Sequence, residues 1–174
     1  MIKYIAFLRA INVGGQAVIK MEDLKRIFES FGFVNVQTYI QSGNVIFDAK
    51  ESVNLESKIE AGLEKALGYK VEVFLRTMEE VAKIAKKPPF ETQGSETLHV
   101  VFLRHGVEKK SEQELLSLRS EADDFFVKAR EAYNLRRDRD KSIFSNDFIE
   151  KKFKVRATTR NITTIRKIVD KYGA

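Results

Sequence analysis

The 174-residue sequence has no cysteine and no tryptophan, two prolines, two histidines and nine glycines. Without cysteine there is no disulfide framework, no thiolate nucleophile, no thiolate zinc site and no iron–sulfur cluster. So little proline and glycine excludes collagen-like, mucin-like and low-complexity chains. The histidines, His99 and His105, are six apart, one inside a strand pattern and one at its end. That is no metal-ligand spacing, and neither is expected to be catalytic. No apolar stretch nears the roughly 18 residues of a membrane span. Tyr4–Leu8 is cut short by Arg9, too soon for the core of a secretory signal. The expectation is a soluble cytoplasmic protein with no membrane partner, no metal and no cofactor. The Asn161-Ile162-Thr163 sequon then carries no glycan.

Hydrophobic residues make up 43% and charged residues 32% of the chain. This length suits one domain or two small ones and can bury a core unaided. Lys plus Arg number 31 against 25 Asp plus Glu, a net charge of +6 with a pI near 9.4. Residues 1–96 hold 13 basic and 13 acidic side chains, and residues 97–174 hold 18 and 12. Between Lys128 and Lys167 the balance reaches +8. That stretch is either a polyanion surface or a solvated basic face.

Tyr4-Ile5-Ala6-Phe7-Leu8 has the continuous apolar pattern of a buried central strand. Met21, Leu24, Ile27, Phe28 and Phe31 recur at helical spacing, and Gly32 supplies a left-handed stop. Val34, Val36, Thr38 and Ile40 alternate as a strand, Ser42-Gly43-Asn44 turns the chain, and Val45-Ile46-Phe47 returns. Leu55, Ile59, Leu63, Ala66 and Leu67 form a second helix stopped by Gly68, before a strand through Val71, Val73 and Leu75. Helix, glycine, aromatic, strand thus occurs twice, as Phe31-Gly32-Phe33 and Leu67-Gly68-Tyr69. The order predicts a ferredoxin-like βαββαβ plait over residues 1–76, antiparallel, with both helices on one face.

A helix from Met78 to Lys86 leads to Pro88-Pro89, which cannot continue a helix interior. Beyond it, His99-Val100-Val101-Phe102-Leu103-Arg104 mirrors Tyr4–Arg9. A helix over Ser111–Ser120, strands near Asp124–Lys128 and Glu131–Leu135, and helices near Asp147–Phe153 and Asn161–Tyr172 complete an abbreviated βαββα unit. The fold class is α+β: a ferredoxin-like domain over 1–87, a linker over 88–96, and a second, smaller α+β half over 97–174 with basic C-terminal helices. The phenylalanines of 28–33 and Phe125-Phe126 are expected in the core.

Three polar clusters stand out. Arg9-Ala10-Ile11-Asn12-Val13-Gly14-Gly15 follows a buried strand, where Gly14 and Gly15 let backbone amides approach a ligand and Arg9 and Asn12 offer donors. It is neither a Walker A loop nor a dinucleotide fingerprint, since no Gly-Lys-Ser/Thr follows and the third glycine is missing. Tyr39, Gln41, Ser42 and Asn44 crowd a hairpin tip. Thr158, Thr159, Arg160 and Asn161 precede the last helix, where they can cap it or hold an anion at its N-terminus. Each cluster is also explicable as a turn or a cap.

Together with Met21…Leu24, Arg76-Thr77, Pro89-Phe90 and Thr164, these motifs resemble the bacterial domain-of-unknown-function family 1697. Ala10 stands where that family usually has glycine. The resemblance implies an α+β fold with ferredoxin-like elements and no assigned activity.

The favoured functional reading is a binder of an anionic ligand, nucleic acid first or a phosphate-bearing molecule, at a cleft between the halves. Arg9, Asn12, Tyr39, Ser42, Asn44, Arg160 and Asn161 would line it. The aromatic signature of RNA-recognition plaits is missing, so fold and charge alone carry the nucleic-acid option. One alternative is an enzyme on a phosphorylated or nucleotide-like small molecule. Arg9, Arg76 and Arg160 would clamp the anion, with Tyr39, Ser42 or Asn12 polarising the reacting group. The other is a protein-interaction module.

Overall fold

The computed structural model describes residues 1–9, 18–40 and 43–173. The chain divides into two compact units, Met1–Val81 with Lys171–Ala174, and Ala82–Asp170. In the first, β1 (Ile2–Leu8), α1 (Met21–Ser30), β2 (Val34–Tyr39), β3 (Asn44–Ala49), α2 (Leu55–Leu67) and β4 (Val73–Thr77) form an antiparallel sheet of order β2-β3-β1-β4. α3 (Met78–Lys86) follows. In the second, β5 (Thr97–Leu103), α4 (Lys109–Leu116), β6 (Asp123–Lys128), β7 (Glu131–Arg136), α5 (Asn146–Phe153) and β8 (Ala157–Asn161) give the same order, β6-β7-β5-β8. α6 (Ile162–Tyr172) ends the chain.

The second unit is therefore a complete βαββαβ rather than an abbreviated βαββα: the Ala157–Asn161 stretch expected to precede and cap the last helix is also its fourth strand. Thr158 and Arg160 face one side of that strand and Thr159 and Asn161 the other, so no apolar alternation marks it. The helix expected to reach Ser120 stops at Leu116.

In unit 1 the helices cover one sheet face. Leu24 and Phe28 of α1 and Leu55, Ile59 and Leu63 of α2 pack on Tyr4, Ala6, Leu8, Val45, Phe47 and Val73. Rings of Tyr4, Phe28, Phe31, Phe33 and Phe47 interlock there, the closest pair being Phe33–Phe47 at 4.4 Å. α2 carries Gly62 because a Cβ there would lie 2.6 Å from the Phe31 ring. In unit 2, Leu115 of α4 and Ile149 and Phe153 of α5 pack on Val101, Leu103, Phe125, Val127 and Ala132. Phe126 departs from expectation, since it alternates away from Phe125 and is 37% exposed.

β4 and β8 are edge strands, whose outward N–H groups need partners. On β4 three successive groups find glutamates. Val73 N–H donates to Glu60 at 3.1 Å, Leu75 N–H to Glu56 at 2.8 Å and Thr77 N–H to Glu80 at 2.7 Å. On β8, Ala157 N–H donates to Glu150 at 3.0 Å. Asn146, one turn earlier on α5, accepts Thr159 Oγ1 at 2.8 Å and donates to the Ala157 carbonyl at 3.0 Å. The opposite edges are blunted differently. Arg119 donates to the Phe125 carbonyl at 3.2 Å and Ser120 N–H to that of Asp123 at 2.9 Å. On β2 the register shifts between Val34 and Gln37, with Asn35 at φ 53°.

Glu60→Ala should cost about 1–3 kcal/mol by stranding a partly buried N–H, while Glu60→Gln, which keeps an acceptor, should cost less. The urea midpoint at unchanged m-value reads both.

Candidate functional site

Arg9, Tyr39 and Asn44 lie at one end of the unit 1 sheet. Leu8 N–H donates to the Gly43 carbonyl at 2.8 Å, and Arg9 N–H to that of Glu72 at 2.9 Å. The Arg9 guanidinium lies 4.0 Å from the Glu72 carboxylate. The end of β1, which carries Arg9, thus runs beside the Tyr39–Asn44 hairpin. Asn12, Gly14, Gly15, Gln41 and Ser42 lie outside the described residues.

Residues paired across antiparallel strands share a face. The register places Tyr39, Asn44, Phe7 and Phe74 in one row, and Gln37, Ile46, Ile5 and Arg76 in the next. This is the face away from α1 and α2. Asn44 is fully buried and donates Nδ2–H to the Tyr39 carbonyl at 2.9 Å, which closes the hairpin from inside. Tyr39 stands edge-on to Tyr172, ring centroids 6.4 Å apart, and Lys3 Nζ donates to the Tyr172 carbonyl at 2.9 Å. Ile40 between them has φ 50°, and its side chain reaches solvent. A β-branched residue in the left-handed region is strained by about 1–2 kcal/mol.

Arg76 is the largest fully buried side chain. Its Nη1 donates to the Leu75 carbonyl at 2.9 Å. Arg160 repeats it in unit 2. It pairs with Val100 as Arg76 pairs with Ile5, and donates to the Thr159 carbonyl at 2.9 Å and to Thr158 Oγ1 at 2.8 Å. Burial pulls its pKa down to about 10, so it stays cationic at neutral pH. Thr159 holds Asn146, and Asn161 Oδ1 accepts Thr163 N–H at 2.9 Å as the cap of α6. α3 opens on a reciprocal capping box between Thr77 and Glu80. Arg9, Tyr39, Asn44 and Arg76 belong to unit 1, and Thr158–Asn161 to unit 2.

Pattern reading missed a polar chain in unit 2 from Asp123 through Asn134 to His99. Its members lie on three strands, and no local motif announces them. Among the described residues, no group of His, Asp and Glu could hold a metal, and no helix is long and apolar enough to cross a membrane.

The family described as a protein of unknown function (DUF1697) matches residues 1–133. The chain belongs to this family. The match ends within β7, so the Ala157–Asn161 cluster lies beyond it. A solved structure, that of the conserved bacterial protein SP0830 from Streptococcus pneumoniae, is similar at a TM-score of 0.69 and 20% identity, over 97% of each chain. At that identity the likeness shows the fold alone. No curated protein matches the chain.

Relieving the backbone strain at Ile40 should stabilise the chain. Ile40→Asn, suited to the left-handed region, should raise unfolding free energy by about 1 kcal/mol, read by chemical denaturation. A loss instead would mean that the exposed side chain contributes to packing.

Proposed function

We propose that the protein binds a phosphate-bearing small molecule at the end of the unit 1 sheet where Arg9 and the 39–44 hairpin meet. The observation that supports this reading is the strand pairing that brings Arg9, at the end of β1, beside the 39–44 hairpin. Arg9 supplies the charged donor. Gly14 and Gly15 supply backbone amides, and Asn12, Gln41 and Ser42 supply polar contacts. Tyr39 and Asn44 fix the hairpin, and Arg76, one row away on the same face, adds positive potential in a low-dielectric setting. In unit 2, Arg160 is buried and bonded to Thr158 and the Thr159 carbonyl, Thr159 bonds Asn146 and Asn161 caps α6, so the proposed site draws on unit 1. Ile40 supports the reading, since backbone strain concentrates where ligands are held. The ligand class suits a cytoplasmic protein.

A nucleic-acid partner is the second reading, favoured by Phe126, exposed on the sheet face and 6.2 Å from the Tyr133 ring. Ion pairs weigh against it. Arg119 and Arg137 are held by Asp124 at 3.0 and 3.3 Å, Arg137 also by Glu96 at 3.5 Å, and Arg156 by Glu150 at 3.4 Å. Within the Lys128–Lys167 stretch, Arg137 and Arg156 are thereby neutralised locally.

Calorimetric titration with inorganic pyrophosphate, a nucleoside monophosphate and a sugar phosphate tests the proposal. At least one should bind. Arg9→Ala should weaken it about tenfold or more, the value of a charged hydrogen bond, with the melting temperature nearly unchanged. Binding of none of them overturns the small-molecule reading. Retention of a short oligonucleotide, falling steeply as a power of salt concentration, would establish the second reading in its place.

A further inference from the structure

Asp123 on β6 is fully buried. Its carboxylate accepts Asn134 Nδ2–H at 2.8 Å, the Ser142 hydroxyl at 2.7 Å and the Ile143 N–H at 2.9 Å. Asn134 is buried as well, and its Oδ1 lies 3.1 Å from His99 Nδ1. With the Asn134 amide nitrogen turned to Asp123, its oxygen faces the imidazole and can only accept. His99 Nδ1 therefore carries the proton, and Nε2 is the atom left to take up a second one. The imidazole lies flat on Phe144, centroids 4.9 Å apart at 21°. Ser142, Ile143 and Phe144 are consecutive residues of the 137–145 connection between β7 and α5. One polar chain, ending on a titratable ring, thus holds three successive residues of that connection.

We propose that His99 is a proton-operated latch on this connection, closed while the imidazole is neutral and released when it becomes an imidazolium. The inference rests on unit 2 alone and is independent of the ligand proposed for unit 1. Protonation places a net charge on a largely buried ring. The charged groups that bear on the ring are Arg136 of β7, which repels an imidazolium, and Asp123 of β6, which attracts it. The Asp123 carboxylate is already engaged by three donors, and neutral Asn134 stands between it and the ring. Phe144 from the connection and Asn161, which pairs with His99 from the end of β8, are uncharged. Burial, first, and Arg136 hold the His99 pKa below the ordinary histidine value, against the opposing pull of the Asn134 hydrogen bond and Asp123. The neutral ring is the form that the closed state favours. Closure is then complete above the ordinary pKa of about 6.5 and weakens as pH falls below it. Opening would free Ser142, Ile143 and Phe144, while Arg137 N–H stays on the Ala122 carbonyl at 2.7 Å. The freed segment carries Arg139 and Lys141, so acid would mobilise part of the basic stretch.

Amide hydrogen exchange on the full chain, corrected for the intrinsic pH dependence of exchange, tests the latch. Between about pH 7.5 and pH 5, protection at Ile143 should fall by up to about tenfold per unit below 6.5, while the central β5 amides stay protected. His99→Phe keeps an aromatic ring against Phe144 and removes the titration, so its Ile143 protection should not vary with pH. In the parent chain, the His99 ring signals and the Ile143 amide should titrate together, with a midpoint below 6.5, by NMR. Constant Ile143 protection across this range, separate midpoints, or the same acid loss in His99→Phe would each overturn the proposal.

Discussion

An edge strand must find partners for the backbone groups that its neighbour cannot reach, and here carboxylates supply them. On β4 the partners are Glu60, Glu56 and Glu80. Two sit one turn apart on α2 and the third on α3, so the edge fixes both helices in rotation and height. With α2 so placed, Ile59 and Leu63 point into the sheet and Gly62 meets Phe31. Val73 and Leu75 then face the helices, and the alternation of the strand leaves Phe74 and Arg76 for the other side. The buried arginine, and the row in which it stands, follow from how the edge is closed.

The two units solve the same problem with different chemistry. Glu150 repeats the role of Glu60, but Asn146 stands where unit 1 has Glu56, and it bonds a threonine side chain rather than a backbone amide. The row of Gln37, Ile46, Ile5 and Arg76 in unit 1 becomes Phe126, Tyr133, Val100 and Arg160 in unit 2. An arginine closes both rows. Unit 2 spends its polar residues internally, on the Thr158–Arg160 pair, the Asn161 cap and the Asp123 chain. In unit 1, Arg9 and the 39–44 hairpin stand at a strand end. The likeness is one of backbone and register, with the surface chemistry free to diverge.

Most of the architecture was legible from periodicity and glycine stops. The plait of unit 1, α3, β5 and the β6–β7 hairpin are all written as apolar spacing, because each buries one face. β8 was not, because Thr158 and Arg160 satisfy each other on one face and Asn161 doubles as a helix cap, so a strand resembles a capping motif. Phe126 was misplaced because two adjacent phenylalanines on a strand must face opposite ways, and only one can join the core. Of the candidate site, the meeting of Arg9 with the 39–44 hairpin could not be read locally. It arises from β1–β3 pairing between residues nearly forty positions apart. The Asp123–Asn134–His99 chain was hidden for the same reason, since His99 alone looks like an ordinary strand residue.

In both units the fourth strand passes into the following helix with no spacer, Thr77 to Met78 and Asn161 to Ile162. A helix turns through about 100° per residue. One residue added or removed at either junction would swing the buried stripe of α3 or α6 a quarter-turn or more out of register, and would dissolve the cap that starts it. The stretch between Lys86 and Thr97 has no such phase to keep. Length variation among relatives of this chain should therefore accumulate there and stay rare at the two strand-to-helix joints, a pattern readable from sequences alone.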